Sequence, residues 1–142
     1  MKAGQPVKLH GVDVRIMDEE QAWHLNRLRM KQNIHIAWDL PQLDLRDRLK
    51  EMVKHVKPYK ITCYVLIGFN STIEQDLFRL NVLRELGITP FVIPFRDYGN
   101  ARTPTRYERD LARWANRMWQ VKSTSFENNA PRKGFKCGEY LK

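Results

Sequence analysis

Apolar residues along the chain follow two alternating patterns, one typical of strands and one typical of helices. Four short apolar runs or alternations favour strands: near Val7–Met17, and at Ile34–Trp38, Lys60–Ile67 and Ile88–Phe95. Four segments with apolar residues every three or four positions favour helices: Asp18 to about Gln32, Leu43–Val56, Ser71–Leu86 and Thr103 to about Val121. The order is βαβαβαβα, and strands separated by helices of this length form a parallel sheet.

The junction between the third strand and the third helix is the most informative segment. The apolar run Tyr64–Ile67 stops at Gly68. Ser71, followed three residues later by Glu74, fits the Ser-x-x-Glu capping box that begins a helix. Gly87 stands where a helix ends in a left-handed residue. Such a short strand–glycine–helix turn leaves backbone groups free at the carboxyl end of a strand, where α/β proteins bind cofactors.

Four βα units are compatible with two architectures. They form either an open sheet with helices on both faces or one piece of a larger barrel, and composition leaves both open. We therefore predict an α/β fold with four consecutive βα units in a parallel sheet, a partial (half) TIM-like barrel over residues 1–121. Residues 122–142 contain Gly, Pro and Asn among polar and basic residues, and we expect a mostly irregular tail.

Length and composition fit one domain of an ordinary globular protein. The chain has 142 residues, no apolar run near the roughly 20 residues of a membrane helix, and no visible secretory signal, so the expected compartment is the cytoplasm. The net charge of +9 is uneven along the chain. We expect the fourth helix, with Thr103 as N-cap and Pro104 at its first position, to carry a basic stripe: Arg106, Arg109, Arg113 and Arg117. This stripe is either a solvated helix face or a surface for nucleic acid or another polyanion.

The two cysteines, Cys63 and Cys137, provide neither a disulfide framework nor a four-thiolate metal site. Cys63 lies in the middle of the third predicted strand, where a small buried hydrophobic residue is the ordinary interpretation. Cys137 in the tail is expected to be a free surface thiol. The four histidines have no metal-binding spacing, and His35, on the second predicted strand, is best explained as a packed, hydrogen-bonded side chain.

Four strand segments in order resemble successive strands of radical S-adenosylmethionine (SAM) domains, in particular a group found in phages and bacteria. The segments are Gly11–Arg15, Ile34–Asp39, Tyr64–Phe69 and Pro90–Pro94, and the likeness covers about residues 5–121. It implies a partial (β/α)6 barrel of which these segments are the third to sixth strands. The family's cysteine motif, C-x3-C-x2-C, and the glycine-rich segment after its second strand have no counterpart in this sequence.

The resemblance also implies site residues. Ile67, Gly68 and Phe69 would contact the adenine of S-adenosylmethionine, and Phe95 with Arg96 resembles the second adenine contact. Three polar residues near the carboxyl ends of their strands are candidates for contacts with the cosubstrate or substrate: Asp13, Arg15 and Asp39. For Asp13 and Arg15 a structural ion pair is an equal alternative, and for Asp39 a turn residue. The 4Fe–4S cluster would come from a missing N-terminal segment or a partner polypeptide that completes the barrel.

Two functions from different classes remain at this point. The first is a C-terminal fragment or split subunit of a radical SAM enzyme, which contributes part of the cosubstrate pocket and is inactive alone because the cluster performs the reductive step. The second is a non-enzymatic α/β binding module whose basic C-terminal helix contacts nucleic acid or a protein partner. A gene fragment without activity is a third, degenerate alternative.

Overall fold

The computed structural model of the protein describes residues 6–7, 29–30, 34–97, 99 and 102–142. The strands are β1 (Pro6–Val7), β2 (Arg29–Met30), β3 (Ile34–Ala37), β4 (Ile61–Ile67) and β5 (Thr89–Pro94). The α-helices are α1 (Arg46–His55), α2 (Ile73–Leu86), α3 (Arg106–Ala115) and α4 (Met118–Ser123). Short 3-10 helices are found at Pro58–Lys60 and Cys137–Leu141.

Strands β3, β4 and β5 form a parallel sheet in the order of the sequence, with α1 and α2 in the connections. Ile34 lies opposite Ile61 in the first pair of strands, and Cys63 lies opposite Pro90 in the second. The predicted α/β fold with a parallel sheet is thus confirmed for three strands and the helices between them. In the part of the chain that the structure describes, no helix is both long enough and apolar enough to cross a membrane.

The first predicted βα unit lies largely outside the described residues, and with it Asp13 and Arg15. Its described parts are β1 and β2, which pair in parallel as a separate two-stranded sheet. The prediction of a helix that continues to Gln32 is wrong at Arg29–Met30, because these residues form β2. Leu28 and Met30 stand two positions apart, which is the spacing of one strand face and not of a helix face, so the helix prediction gave this alternation too little weight.

The three-stranded sheet is covered on one face. Along β4, buried residues alternate with half-exposed ones, Ile61, Cys63, Val65 and Ile67 against Thr62, Tyr64 and Leu66. The buried side chains join the core that also contains Leu80 and Leu83 of α2 and Leu111 and Trp114 of α3. On the other face of β5, Phe91 and Ile93 stay 45% and 42% exposed. The helices among the described residues therefore pack against one face of β3–β5, and side chains on the opposite face stay partly exposed.

Helix α2 begins one residue later than the predicted capping box. Thr72, not Ser71, is the N-cap: its hydroxyl accepts from the Gln75 amide, and the Gln75 side chain accepts from the Thr72 amide. Both Ser71-x-x-Glu74 and Thr72-x-x-Gln75 fit the capping-box pattern, one position apart. The structure uses Thr72-x-x-Gln75. The predicted end of the helix is confirmed, because Gly87 adopts the left-handed conformation with φ of +77°.

The predicted fourth helix is two helices. Its N-cap is Thr105 rather than Thr103, and its first segment, α3, ends at Ala115. The side chain of Asn116 accepts from the amide of Val92 at 2.6 Å and donates to the carbonyl of Val92 at 3.1 Å. The side-chain amide thereby takes the place of the backbone amide of one residue in an adjacent strand, and it covers the free edge of β5 at Val92. The chain therefore leaves the helix at Asn116, and α4 follows after Arg117.

The tail has little regular structure but packs closely against α3. Phe126 and Cys137 are buried, and rings of the tail contact Tyr107 and Trp114. Arg132 and the Tyr140 hydroxyl both donate to the carboxylate of Asp110, at 2.9 and 2.6 Å. The segment is thus part of the packed structure rather than an appendage.

Candidate functional site

The residues that follow the three parallel strands lie together at one edge of the sheet. Trp38 follows β3, Gly68 follows β4 and Phe95 follows β5. Backbone hydrogen bonds hold them in line, from the Trp38 amide to the Tyr64 carbonyl and from the Phe95 amide to the Ile67 carbonyl, both 2.8 Å long. We call Trp38, Gly68 and Phe95, with the side chains that contact them, the carboxyl edge.

A buried arginine connects two sides of the carboxyl edge. Arg79 of α2 is completely buried, donates to the Trp38 carbonyl at 2.8 Å and donates to the Asp76 carboxylate at 2.8 Å. The other oxygen of Asp76 accepts from the Tyr107 hydroxyl of α3 at 2.7 Å. This Arg79 network therefore ties the end of β3 to α2 and α3 by charge-assisted hydrogen bonds, which are the strong kind.

The electrostatics of the Arg79 network fix the protonation of Tyr107. Burial raises the pKa of the Tyr107 hydroxyl above its usual value, and the neighbouring Asp76 carboxylate raises it further. The hydroxyl therefore keeps its proton at physiological pH and acts as a hydrogen-bond donor. It is suited to orienting Asp76 and not to serving as a base.

A second ion pair lies against Gly68. Arg102, from the loop after β5, donates to Oε1 of Glu108 at 2.6 Å and also to the Phe95 carbonyl. A Cβ atom added to Gly68 would lie 2.7 Å from Oε2 of Glu108 and 2.9 Å from Nη2 of Arg102. Gly68 also has φ of +82°. Glycine is thus required here both by the left-handed turn and by the close approach of the ion pair.

The Glu108 carboxylate is only half satisfied. Its side chain is 5% exposed, and Oε2 is buried without a hydrogen-bond partner among the described residues. A buried carboxylate oxygen without a donor is costly, so such atoms are usually found where a ligand or water completes the site. Oε2 of Glu108 is therefore an unused hydrogen-bond acceptor at the carboxyl edge.

An aromatic pair borders the same place. The rings of Phe69 and Phe95 lie 4.8 Å apart between centroids, and the Arg102 guanidinium lies 5.6 Å from the Phe95 ring. Phe69 remains 49% exposed, and Arg96 is exposed as well. The pair presents a π surface with a cation beside it, an arrangement that suits a flat, polar ring.

The adenine contacts implied by the resemblance lie together at the carboxyl edge. Gly68, Phe69, Phe95 and Arg96 are at the edge itself, whereas the side chain of Ile67 is fully buried in the core, so that only its backbone reaches the edge. Of the polar candidates, Asp39 is exposed just beyond β3. Asp13 and Arg15 lie outside the described residues, and their role stays a prediction.

His35 lies on the open face of the sheet and not at the carboxyl edge. Its Nδ1 atom lies 3.1 Å from the Tyr64 hydroxyl oxygen, within hydrogen-bond distance. The His35 ring also packs edge-on against the Tyr64 ring. The prediction of a packed, hydrogen-bonded histidine is confirmed.

Four charged residues of the carboxyl edge were missed from the sequence: Asp76, Arg79, Arg102 and Glu108. A signal existed for two of them. Asp76 lies four residues before Leu80, and Arg79 lies four residues before Leu83, so both share the inward face of α2 with those leucines. Arg102 and Glu108 come from a loop and a first helical turn, and their pairing across six positions has no local sequence signature.

The cysteines divide into one confirmed and one wrong prediction. Cys63 is buried and free, and burial raises the pKa of its thiol to about 12. Cys137, predicted to be a surface thiol, is also buried, because its amide donates to the Asn129 carbonyl at 2.9 Å and so turns the residue into the core. Within the described residues, no group of three or more His, Cys, Asp or Glu side chains is arranged to hold a metal ion.

The arginine stripe predicted for the fourth helix does not follow a single helix. Arg106, Arg109 and Arg113 are exposed on α3, but the chain breaks at Asn116 and Arg117 becomes the N-cap of α4. The helical spacing that linked Arg117 to the other three is therefore lost, and the stripe is reduced to three arginines.

No sequence motif at the carboxyl edge indicates a substrate, so the function of the edge has to be argued from its own residues. Its parts are a left-handed glycine, a half-satisfied buried carboxylate and an exposed aromatic pair. Comparison of the chain with protein-family models, with curated proteins and with solved structures gives no match.

Proposed function

We propose that the chain forms the S-adenosylmethionine-binding edge of a radical SAM enzyme, as one part of a partial β/α barrel. The observation that carries the proposal is Oε2 of Glu108, a buried acceptor without a donor, beside Gly68 at the end of the central strand. The sequence resemblance to radical SAM strands points to this same turn. The two lines of reasoning are independent, since Glu108 is not among the residues that carry the resemblance.

The residues fit an adenosyl group. An ionised carboxylate only accepts hydrogen bonds, and the ribose hydroxyls and the amino groups of S-adenosylmethionine are donors. Phe69 supplies an exposed ring on which the adenine would stack, with Phe95 behind it. Arg102 is the movable member of the ion pair in this proposal, because 29% of its side chain is exposed against 5% for Glu108. In an outward rotamer it would free Oε1 as a second acceptor, beside the already unpartnered Oε2.

The residues do not fit an iron–sulfur cluster. Radical SAM chemistry depends on a cluster held by three cysteines, and this chain has two, one in the middle of β4 and one in the tail. We therefore assign the cluster to another segment or to a partner polypeptide, and no redox step to this chain. The role of these residues is to bind and orient the adenosyl group.

The partial barrel in this proposal is supported by how the sheet is covered. The helices of the described segments 34–97 and 102–142 lie on one face of β3–β5, whereas a doubly wound sheet would have helices on both. The other face carries half-exposed and exposed side chains such as Tyr64 and Phe91, as the inner face of an incomplete barrel would. At the β5 edge, Asn116 occupies the backbone groups of Val92. Further strands would then join beyond β3, where the cluster-bearing part belongs.

Isothermal titration of the chain with S-adenosylmethionine, and with the more stable S-adenosylhomocysteine, tests the proposal. We expect saturable binding that Phe69→Ala weakens by about 5- to 150-fold, since stacking of a base on an aromatic ring contributes about 1–3 kcal/mol. Glu108→Gln should weaken binding as well, because it replaces an ionised acceptor with a neutral one.

Tyr59→Ala is the matched control. Tyr59 is 65% exposed but lies just before β4, at the opposite end of the strand from Gly68. The Tyr59→Ala variant should bind S-adenosylmethionine with the affinity of the wild type. The proposal fails if the chain shows no saturable binding, or if Phe69→Ala and Tyr59→Ala behave alike.

Anaerobic iron–sulfur reconstitution tests the assignment of the cluster. The 142-residue chain should assemble no cluster by itself, and a mixture with a polypeptide that carries C-x3-C-x2-C should assemble one. A cluster on the isolated chain would contradict the assignment.

A further inference from the structure

The outer surface of α3 and the adjoining tail carries positive charge that is not paired with a carboxylate of the described residues. Arg106, Arg109 and Arg113 are exposed on α3, and no carboxylate of the described residues forms an ion pair with them. They stand at positions i, i+3 and i+7, so they lie along one side of the helix with about 5.4 Å per turn between them. This spacing is independent of Arg117, which the break at Asn116 removes from the row.

The acidic residues of α3 are turned inward. Glu108 and Asp110 are each only 4% exposed, and they pair with Arg102 and Arg132. Residues 102–142 contain ten Lys and Arg against four Asp and Glu. Two of those four are these buried residues, and a third, Glu139, pairs with Lys142. Each of these three acids pairs with one of the ten cations, so the net charge of +6 remains on the other seven cations and Glu127.

A short hairpin of the tail adds to this surface. Arg132 and Phe135 form an antiparallel bridge around a turn at Lys133 and Gly134. Arg132 anchors the hairpin to α3 through Asp110, with distances of 2.9 and 3.1 Å to the two oxygens. The guanidinium of Arg106 lies 5.8 Å from the Phe135 ring, which fixes the hairpin beside the first turn of α3.

Lys133, in the turn, and Lys136, just after Phe135, are exposed. Together with the three arginines of α3 they make a set of five cations on ordered elements, which we call the basic surface: Arg106, Arg109, Arg113, Lys133 and Lys136. No described carboxylate forms an ion pair with any of the five. Ordered, arginine-rich cations that are free of such pairs are suited to bind phosphates.

We propose that the basic surface binds the phosphate backbone of a nucleic acid, independently of sequence. It is separate from the carboxyl edge, since its side chains point to solvent from α3 and the hairpin. Three to five phosphate contacts predict a strong salt dependence. Between 50 and 200 mM salt, affinity should fall about 20- to 100-fold for a single strand.

Fluorescence anisotropy with labelled single-stranded and duplex 20-mers, at several salt concentrations, measures this binding. We expect Arg109→Glu/Arg113→Glu to weaken it by at least about tenfold, since two contacts are lost and two repulsions added. Arg48→Glu/Lys50→Glu is the matched control: both residues are exposed on α1, and each double variant lowers the net charge by four, from +9 to +5. The control should bind within about threefold of the wild type.

Three outcomes overturn the proposal. The first is the absence of salt-dependent binding to either oligonucleotide. The second is equal weakening by the two double variants, which would assign binding to the charge of the whole chain. The third is binding to vesicles with anionic lipid but to neither oligonucleotide. Arg109→Ala/Arg113→Ala, which adds no acid, should give a smaller loss in the same direction, and urea unfolding checks that all variants are folded. None of these outcomes bears on binding of S-adenosylmethionine.

Discussion

Arg79→Met is the sharpest test of how the carboxyl edge is built. Methionine keeps much of the length of the side chain and removes the guanidinium. Asp76, itself 1% exposed, would keep only the Tyr107 hydroxyl as a partner, and the Trp38 carbonyl would lose its donor. Removal of one member of a buried ion pair costs about 3–5 kcal/mol, because the remaining charge stays buried and uncompensated.

Urea unfolding followed by circular dichroism measures this loss. With a slope of about 2 kcal/mol per molar urea, the midpoint should fall by about 1.5–2.5 M. Arg84→Met, on the same helix but half-exposed and without a side-chain partner in the described part of the chain, is the control. It should stay within about 0.5 kcal/mol of the wild type.

A triple variant separates buried charge from packing. In Asp76→Leu/Arg79→Met/Tyr107→Phe no charge is left unpaired, and replacement of a complete buried polar group by apolar side chains is often neutral. We expect it to recover at least half of the stability that Arg79→Met loses. The reasoning is refuted if Arg79→Met costs less than about 1 kcal/mol, the value of a surface ion pair, or if the triple variant is less stable than the single one.

Two further predictions concern Gly68 and Cys63. Gly68→Ala and Gly134→Ala place alanine at nearly equal φ, +82° and +79°, but only Gly68 has close neighbours. Urea unfolding should therefore show an extra loss of about 1–3 kcal/mol for Gly68→Ala, and equal losses would mean that Arg102 and Glu108 do not press on Gly68. Cys63 titrates near pH 9 when unfolded and near 12 when folded, so the unfolded chain loses its proton first. Stability should fall between pH 9 and 12 by up to about 1.4 kcal/mol per pH unit, with a shallower fall in Cys63→Ala, and an unchanged pH profile in that variant would contradict the burial of the thiol.

The sequence predicted elements well where one pattern was strong. Strand β4 is a β-branched and apolar run, with Thr62 as its polar member, between Pro58 and Gly68, and it was predicted to within one residue. Helix α2 has a clear apolar stripe and a glycine at its end, so its end was predicted at Leu86 as observed. In both places local propensity and burial favour the same structure, which is the condition under which a sequence rule succeeds.

The errors occurred where contacts between distant residues decide the structure. The break at Asn116 depends on hydrogen bonds to Val92, 24 residues earlier, and the apolar spacing of the following residues continues as if the helix did. The candidate site was predicted in part for the same reason. Gly68 and Phe69 belong to a local turn, whereas Arg102 and Glu108 meet only in the folded chain. Sequence patterns describe neighbours, and half of this site consists of residues that are not neighbours.

The placement of the buried charges favours a binding role for the carboxyl edge over a purely structural one. Buried ion pairs contribute little to stability compared with apolar side chains of the same size. Two such pairs, Asp76–Arg79 and Arg102–Glu108, nevertheless lie within the same edge of one three-stranded sheet. The first pair is fully satisfied and holds Trp38 and α3 in position. The second leaves one carboxylate oxygen unsatisfied beside a glycine that admits no side chain. A rigid pair supporting an incomplete one is the arrangement expected where the missing donor belongs to a ligand.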